Sequence, residues 1–233
     1  MLIGVFITSF FVARKAKTFN IQFEKILIVI TATIGCALVG GSALYIFVTY
    51  SPAQIWEFIS NLDFSFIEKS GIVFYGGLIA GLLASIISVK ILKIDIHSME
   101  KSTVPYIPLG HAIGRVGCLF AGCCHGFEYD GFLAVRNILI SPYKTFFPVQ
   151  LMEAVLDIVI VFILLAYGKK ERKRFALLSL YLFLYAVMRF GTEFLRADAI
   201  RGSLLMFSTS QWISIGIVLL LAINKLVSKI RKY

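Results

Sequence analysis

The chain has 233 residues, of which 59% are hydrophobic and only 15% are charged, and its formal net charge is +10. A soluble domain carries about a quarter charged residues, so this composition, with a mean hydropathy of +0.87, excludes an ordinary soluble fold. No nucleic-acid-binding motif accompanies the positive charge. We therefore expect no nucleic-acid partner.

The apolar residues fall into blocks rather than being spread along the chain. The first block has 12 residues and would rise about 18 Å as a helix, whereas the longer ones approach the roughly 20 residues that cross a bilayer. The blocks cover residues 2–13, 26–50, 71–89, 104–124, 148–167, 175–195 and 207–226. Because backbone polar groups in lipid must be satisfied within the segment, the sequence predicts an all-α, polytopic membrane protein of about seven transmembrane helices, forming a single integral membrane domain over residues 1–233.

The basic residues alternate from one inter-block segment to the next. One set of segments holds 16 Lys or Arg and the other set holds 5. The basic set comprises residues 14–25, 90–101, 169–174 and the tail from 225, and the opposite set comprises residues 51–70, 126–147 and 196–206. Since cytoplasmic loops carry the excess of Lys and Arg, we predict a multi-pass membrane protein with the N-terminus outside and the C-terminus in the cytoplasm. Anionic membrane lipids would attract this basic face.

Arg115 and Arg189 lie inside apolar blocks, where an arginine costs at least ~2.5–3.5 kcal/mol. Other polar side chains accompany them at helical spacings, which puts each set on one helix face. The three sets are His111, Arg115 and Cys118; Gln150, Glu153 and Asp157; and Tyr185, Arg189, Glu193 and Arg196. A buried ion-pair network that only fixes helix packing would explain one such set. Three sets favour a polar cavity that takes a head group or water.

Four segments resemble, in chain order, the motifs of the prolipoprotein diacylglyceryl transferase family. FYGGL at 74–78 resembles its His-Gly-Gly-Leu turn, and GRVG at 114–117 resembles the start of its signature. FPVQLME at 147–153 is similar to its His-Pro-Ser-Gln-Leu-Tyr-Glu block. YAVMRFGTEFLR at 185–196 resembles its Arg-x-x-x-Glu-Phe-x-Arg helix, and residues 208–214 resemble the Ser-x-x-Gln block that follows.

The resemblance implies a transferase that moves a diacylglyceryl group from phosphatidylglycerol to the cysteine thiol of a prelipoprotein-like acceptor, within membrane lipids. Guanidinium groups suit the anionic leaving phosphate. The catalytic residues it suggests are Tyr75, Arg115, Arg189, Glu193 and His125, and the substrate-binding residues are Gly76, Gly77, His111, Gln150, Glu153 and Arg196. Glycine packing alone is an alternative for Gly76 and Gly77. No cofactor is expected.

The sequence departs from the family motifs at several positions. Tyr75 stands where the family has its proposed histidine base, and Cys118, Ala121 and Cys123 replace Asn, Asn and Glu of the signature. His125 is the nearest substitute for the missing base. A non-catalytic phospholipid-binding protein, or a membrane thiol or redox protein on the same scaffold, is therefore the alternative function.

The signature region holds three cysteines close together in the sequence, Cys118, Cys123 and Cys124. They could simply fill helix contacts, or provide a nucleophile, a redox pair or a metal site. The spacing C-x₄-C-C-H is not a standard zinc spacing, and so we predict no metal ligand.

Overall fold

The structure is a computed structural model that describes residues 2–61, 73–137, 139–171, 173–197, 203–204 and 206–230. This part of the chain is mostly helical. The helices are α1 (Leu2–Lys17), α2 (Phe23–Thr49), α3 (Pro52–Ser60), α4 (Phe74–Ile91), α5 (Ile96–Thr103), α6 (Ile107–Phe120), α7 (Val149–Tyr167), α8 (Ala176–Glu193) and α9 (Thr209–Ile230). The strands β1 (Val135–Arg136) and β2 (Thr145–Phe146) form one antiparallel pair, and β3 (Ser203–Leu204) and β4 (Phe207–Ser208) form another. These two short pairs depart from a purely all-α fold.

Four of the described helices are long and apolar enough to cross a membrane: α2, α7, α8 and most of α9. Helix α4 is a shorter apolar helix. Exposed Leu, Ile, Val and Phe side chains cover the outer surfaces of these helices, as expected where lipid rather than water surrounds them. The prediction of a helical membrane protein is confirmed.

Several element boundaries differ from the predicted blocks. Helix α1 has 16 residues rather than 12. The block 104–124 consists of a 3₁₀ turn at Val104–Tyr106 and the 14-residue α6, which ends at Phe120. Prolines explain the irregular start, because a proline lacks the backbone N–H that a helix interior needs. Helices α3 and α5 lie in segments that were expected to be loops.

The chain divides into two units, Ala13–Met99 and the remainder formed by Met1–Val12 with Glu100–Tyr233. In the first unit, α2 and α4 pack closely through small residues. A Cβ atom added at Gly76 would collide with the carbonyl oxygen of Gly40, and one at Gly77 would lie 3.0 Å from the carbonyl oxygen of Ala37. Glycine at these positions therefore lets the two backbones approach each other.

In the second unit, α7 contacts both α6 and α8, and α9 packs on α8. The apolar core consists of Val104, Ile160, Leu164, Leu177 and Tyr181. Helix α8 starts after Phe175, which has a left-handed backbone with φ of 64° and no capping side chain of its own.

The first amide groups of α8 are satisfied from a distant segment. The Glu100 carboxylate accepts hydrogen bonds from Phe175 N at 2.7 Å and from Leu178 N at 3.0 Å. A carboxylate at a helix N-terminus is favourable because it pairs with unsatisfied N–H groups and with the positive end of the helix dipole.

Candidate active site

A single buried carboxylate joins three arginines of the second unit. Glu153 on α7 has no exposed side-chain surface. Its Oε2 atom lies 2.9 Å from Arg115 Nε and 4.0 Å from Arg196 Nη1, and its Oε1 atom lies 2.6 Å from Arg189 Nη1. Arg189 Nη2 also pairs with Glu193 Oε2 at 2.7 Å. The three polar helix faces that the sequence indicated therefore meet at Glu153.

The three guanidinium groups are not equally buried. The side chain of Arg115 is 21% exposed, against 11% for Arg189 and 2% for Arg196. Arg115 forms its ion pair with Glu153 through Nε, so this pair does not use its Nη1 and Nη2 groups. An arginine fork of this kind can bind two oxygens of one phosphate.

The ion-paired groups, three arginines and two glutamates, carry one net positive charge. The sequence could not place Glu153 relative to Arg115 and Arg189, because the depth and rotation of each helix are not encoded in its spacing. The structure supplies Glu153 to both arginines.

Two further polar residues complete the cluster, and the sequence interpretation did not select them. Thr192 is buried, and its hydroxyl donates a hydrogen bond to Glu153 Oε1 at 2.8 Å. Arg189 Nη2 lies 3.4 Å from the Ser210 hydroxyl on α9. Thr192 follows Arg189 by three positions and so lies on the same face of α8, which is the signal that could have identified it.

Asp157 lies one helical turn beyond Glu153 on α7 and is also fully buried. Among the described residues, neither of its carboxylate oxygens has a hydrogen-bond partner. Buried polar groups are normally hydrogen-bonded, so Asp157 is the polar residue of this face that the ion-pair cluster does not account for.

The cysteine loop, residues 121–126, follows α6 and is anchored to the arginine cluster. Gly126 forms a bridge with Arg196, and the amide of Ala197 donates a hydrogen bond to His125 O at 3.2 Å. Gln150 is buried, and its Nε2 donates to Cys123 O at 2.7 Å. Gln150, predicted to bind substrate, thus positions the loop that carries two of the cysteines.

The three cysteines of the signature lie together in space. All four cysteines of the chain are within the described residues, and none of them forms a disulfide. The Sγ atoms of Cys118, Cys123 and Cys124 all lie within 4.8 Å of one another. Cys124 has a left-handed backbone with φ of 62°, a conformation that is uncommon for residues other than glycine.

The pKa values of the two loop cysteines, Cys123 and Cys124, are shifted in opposite directions. A hydrogen bond from the Cys118 thiol, supported by the charges of Arg196 and Arg115, lowers the pKa of Cys124 to about 4 against the opposing effect of burial. Burial and the adjacent Cys124 raise the pKa of Cys123. The hydrogen bond and the two positive charges favour the thiolate form of Cys124, the form in which cysteine acts as a nucleophile.

His125 is half-buried beside the cysteines. Its ring packs against Phe146 with centroids 4.7 Å apart, and its Nδ1 lies 2.9 Å from Gly126 O. Because a carbonyl oxygen only accepts, Nδ1 carries the hydrogen in this contact and Nε2 keeps a lone pair. A small cleft of about 10 Å³ is lined by His125, Asn137 and Gln150.

His111 is placed by aromatic neighbours rather than by the arginine ion pairs. Its Nδ1 lies 3.4 Å from the Tyr181 hydroxyl, and its ring centroid is 5.2 Å from that of Tyr185. This arrangement puts His111 on the same face of α6 as Arg115, in agreement with the spacing in the sequence.

Three predicted site residues, Tyr75, Gly76 and Gly77, belong to the first unit, whereas the arginine cluster belongs to the second. The backbone of Tyr75 lies in α4, but its side chain is outside the described residues. Gly76 and Gly77 face α2 at distances that only glycine allows, so helix packing is sufficient to explain both.

The geometry can be compared with known proteins. A family model described as prolipoprotein diacylglyceryl transferase matches residues 1–226. The chain is 30% identical over 231 residues to phosphatidylglycerol–prolipoprotein diacylglyceryl transferase 2 of Clostridium perfringens (strain 13 / Type A), which covers 96% of this chain and 88% of that protein. It is 32% identical over 186 residues to the transferase of Clostridium tetani (strain Massachusetts / E88), with 78% and 72% covered. The protein of Finegoldia magna (strain ATCC 29328 / DSM 20472 / WAL 2508) is 30% identical over 221 residues, with 93% and 84% covered. The chain belongs to the prolipoprotein diacylglyceryl transferase family, as its four motifs predicted.

Proposed function

We propose that this protein transfers the diacylglyceryl group of phosphatidylglycerol to the cysteine thiol of a prolipoprotein at the bacterial plasma membrane. The observation that carries the proposal is the cluster of three arginines around the buried Glu153 in a member of this family. Its ion-paired groups have one net positive charge, which matches the single negative charge of a phosphodiester. The charge alternation along the sequence supports seven transmembrane helices with the N-terminus outside and the C-terminus in the cytoplasm.

The reaction assigns a task to each group of the site. The acceptor sulfur attacks the methylene carbon that links the diacylglyceryl group to the phosphate. A carbon–sulfur bond forms, the carbon–oxygen bond breaks, and its electron pair leaves on the oxygen of glycerol phosphate. Arg115 and Arg189 bind the phosphate and stabilise its growing charge, Glu193 orients Arg189 through their 2.7 Å pair, and Arg196 supports the outer side.

The acceptor thiol must also lose its proton, because the thiolate is the nucleophile. His125 is the candidate acceptor for that proton, since its Nε2 lone pair is directed away from the Nδ1 contact with Gly126 O. Tyr75 is the competing candidate. We expect Tyr75→Phe to retain transfer and His125→Gln to lose it, and the reverse pattern would assign the role to Tyr75.

The test uses purified protein in lipid nanodiscs, with labelled phosphatidylglycerol and a lipoprotein-signal peptide that carries the acceptor cysteine. Arg115→Ala and Arg189→Ala should each lower the transfer rate roughly 10- to 150-fold, because each removes a charge-assisted contact of about 1.5–3 kcal/mol. Arg115→Lys should rescue little, since a point charge cannot replace the guanidinium fork.

Arg136→Ala is the matched control, because Arg136 is an exposed arginine of β1 outside the ion-pair cluster. Its transfer rate should equal that of the wild type. Lipid binding without any transfer by the wild type would favour the non-catalytic alternative. If all arginine variants bound and transferred lipid normally, the phosphate site would lie elsewhere.

A further inference from the structure

The three sulfur atoms at the end of α6 form a compact group of soft ligands. Cys118 lies in the last turn of α6, and Cys123 and Cys124 lie in the turn that follows, with all three Sγ atoms within 4.8 Å of one another. Tetrahedral zinc with sulfur at about 2.3 Å requires sulfur atoms about 3.8 Å apart. The upper limit of 4.8 Å for the three Sγ–Sγ distances exceeds this spacing by about 1 Å.

The loop is held in this shape by its surroundings. The amide of Cys123 donates to Cys118 O at 3.2 Å, and the buried Gln150 donates to Cys123 O at 2.7 Å. A non-glycine residue in a strained backbone conformation costs of order 1–3 kcal/mol and persists only where the structure around it enforces it. The left-handed Cys124 is such a residue, and its sulfur lies within 4.8 Å of those of Cys118 and Cys123.

The electrostatic setting suits a metal–thiolate group. A divalent cation with three thiolates has one net negative charge. The positive charges of Arg196 and Arg115 act on Cys124 from the neighbouring cluster. The three-thiolate group thus lies beside the arginine cluster, in which Arg115 and Arg196 also pair with Glu153.

We propose that Cys118, Cys123 and Cys124 bind one zinc ion through three thiolates, and that its fourth position takes the acceptor cysteine as a thiolate. The second half rests on the proposed function, whereas metal binding stands on the cluster alone. Structural zinc sites close all four positions with protein ligands, while catalytic sites leave one open. Three cysteines with an exposed member provide the open arrangement.

The metal gives the acceptor sulfur its nucleophilic form. A coordinated thiol is deprotonated outright, and its proton passes to His125, the base of the proposed function. The sulfur then attacks the diacylglyceryl methylene carbon, and the carbon–oxygen electron pair leaves with the phosphate at Arg115 and Arg189. Nothing is oxidised or reduced. Two of the three ligands, Cys118 and Cys123, stand where the family signature has Asn and Glu.

Metal binding is tested on the full chain in detergent under reducing conditions. The protein is incubated with zinc chloride alone, desalted and subjected to elemental analysis, and cobalt chloride is used in parallel because thiolate–cobalt bonds absorb strongly. We expect about one zinc ion per chain in the wild type and in the control Cys36→Ser, whose cysteine is outside the cluster. Cys118→Ser, Cys123→Ser and Cys124→Ser should each lose it.

Cys123→His distinguishes loss of a metal ligand from loss of the fold. It keeps a zinc ligand at the exposed position and should therefore retain the metal. Wild-type protein that retains no zinc, or serine variants that retain as much as the wild type, would overturn the site. A redox pair would be recognised by two fewer alkylatable thiols before reduction, together with no zinc bound after reduction, and that result also overturns the proposal.

The role of the metal has two separate readouts. A peptide with the acceptor cysteine should strengthen the thiolate–cobalt absorption, and the same peptide with serine should not; an unchanged spectrum overturns acceptor binding. Removing zinc should lower transfer at least about 100-fold, in the range of a lost acid–base catalyst, and re-addition should restore it. Equal transfer without zinc overturns the catalytic role. If the metal and thiol signals are present but no form transfers lipid, the metal site stands and the proposed function fails.

Discussion

At the scale of single residues, Glu153 accounts for the position of every arginine in the site. Removing one partner of a buried ion pair leaves an uncompensated charge and typically costs about 3–5 kcal/mol. Glu153→Gln leaves Arg115 and Arg189 without their shared carboxylate. We therefore expect a large fall in the unfolding temperature of the detergent-solubilised protein, measured by tryptophan fluorescence. We also expect loss of transfer.

Asp157→Asn is the control for this prediction, since it makes the same kind of change one helical turn away. Asp157 is equally buried but has no hydrogen-bond partner among the described residues. Its replacement by a neutral side chain should leave the unfolding temperature unchanged or raise it, because burying a charge is costly. Equal losses in the two variants would show that any polar change on this face of α7 is harmful and that the ion pairs are not special.

The sequence interpretation placed on common helix faces the residues whose position depends on helical spacing, and it did not place those whose position depends on a turn. Arg115, Glu153 and Arg189 were found because a charge in an apolar block stands out and helix periodicity fixes its face. The convergence of all three arginines on one carboxylate was not predictable, because it depends on the rotation and depth of each helix. The three-sulfur cluster was missed because α6 ends at Phe120, which folds Cys123 and Cys124 back toward Cys118 instead of continuing the helix.

At the scale of secondary-structure elements, the contact between α2 and α4 depends on glycine. A Cβ atom at Gly40 would collide with Ala80 Cβ and lie 2.7 Å from Gly76 O. We expect Gly40→Ala to destabilise the protein by about 1–3 kcal/mol, the usual range for overpacking. The measurement is thermal unfolding in a fixed detergent.

Gly35 provides the comparison within the same helix, because an added Cβ there would meet no atom of another described residue within 4 Å, its own helix backbone aside. Gly35→Ala should be neutral or stabilise the protein by up to about 1 kcal/mol through helix propensity. If Gly40→Ala proved as harmless as Gly35→Ala, the two helices would have room to separate, and their close approach would not contribute to stability.

At the scale of the whole molecule, the charge alternation makes a testable statement about sidedness. Tyr143 and Lys170 are exposed and lie before and after α7, at opposite ends of a 19-residue candidate span. In a variant whose four cysteines are serine, we expect Tyr143→Cys to react with a membrane-impermeant maleimide on intact cells. Lys170→Cys should react only after permeabilisation, because the basic segment 169–174 faces the cytoplasm under the positive-inside rule.

The cysteine-free parent supplies the background of the labelling measurement. Labelling of Lys170→Cys but not of Tyr143→Cys on intact cells would invert the proposed orientation. Labelling of both would show that α7 does not cross the membrane. The helical, membrane-spanning character of the chain was predictable from composition, and the count of seven helices stays a prediction. The short helices α3 and α5 were not predictable, because their segments are brief and flanked by polar residues.

The position of Glu153 between its arginines also matters for biogenesis. A nascent chain presents Arg115 first, Glu153 next, and Arg189 and Arg196 last, on α6, α7 and α8 with the turn that follows it. An isolated arginine in the bilayer costs at least ~2.5–3.5 kcal/mol, so each charge needs its partner soon after it leaves the ribosome. Because the shared carboxylate lies on the middle helix, Arg115 waits for only one further helix, and the later arginines meet a carboxylate that is already in place. The order of the segments along the chain thus limits the time during which the nascent protein holds an uncompensated charge in lipid.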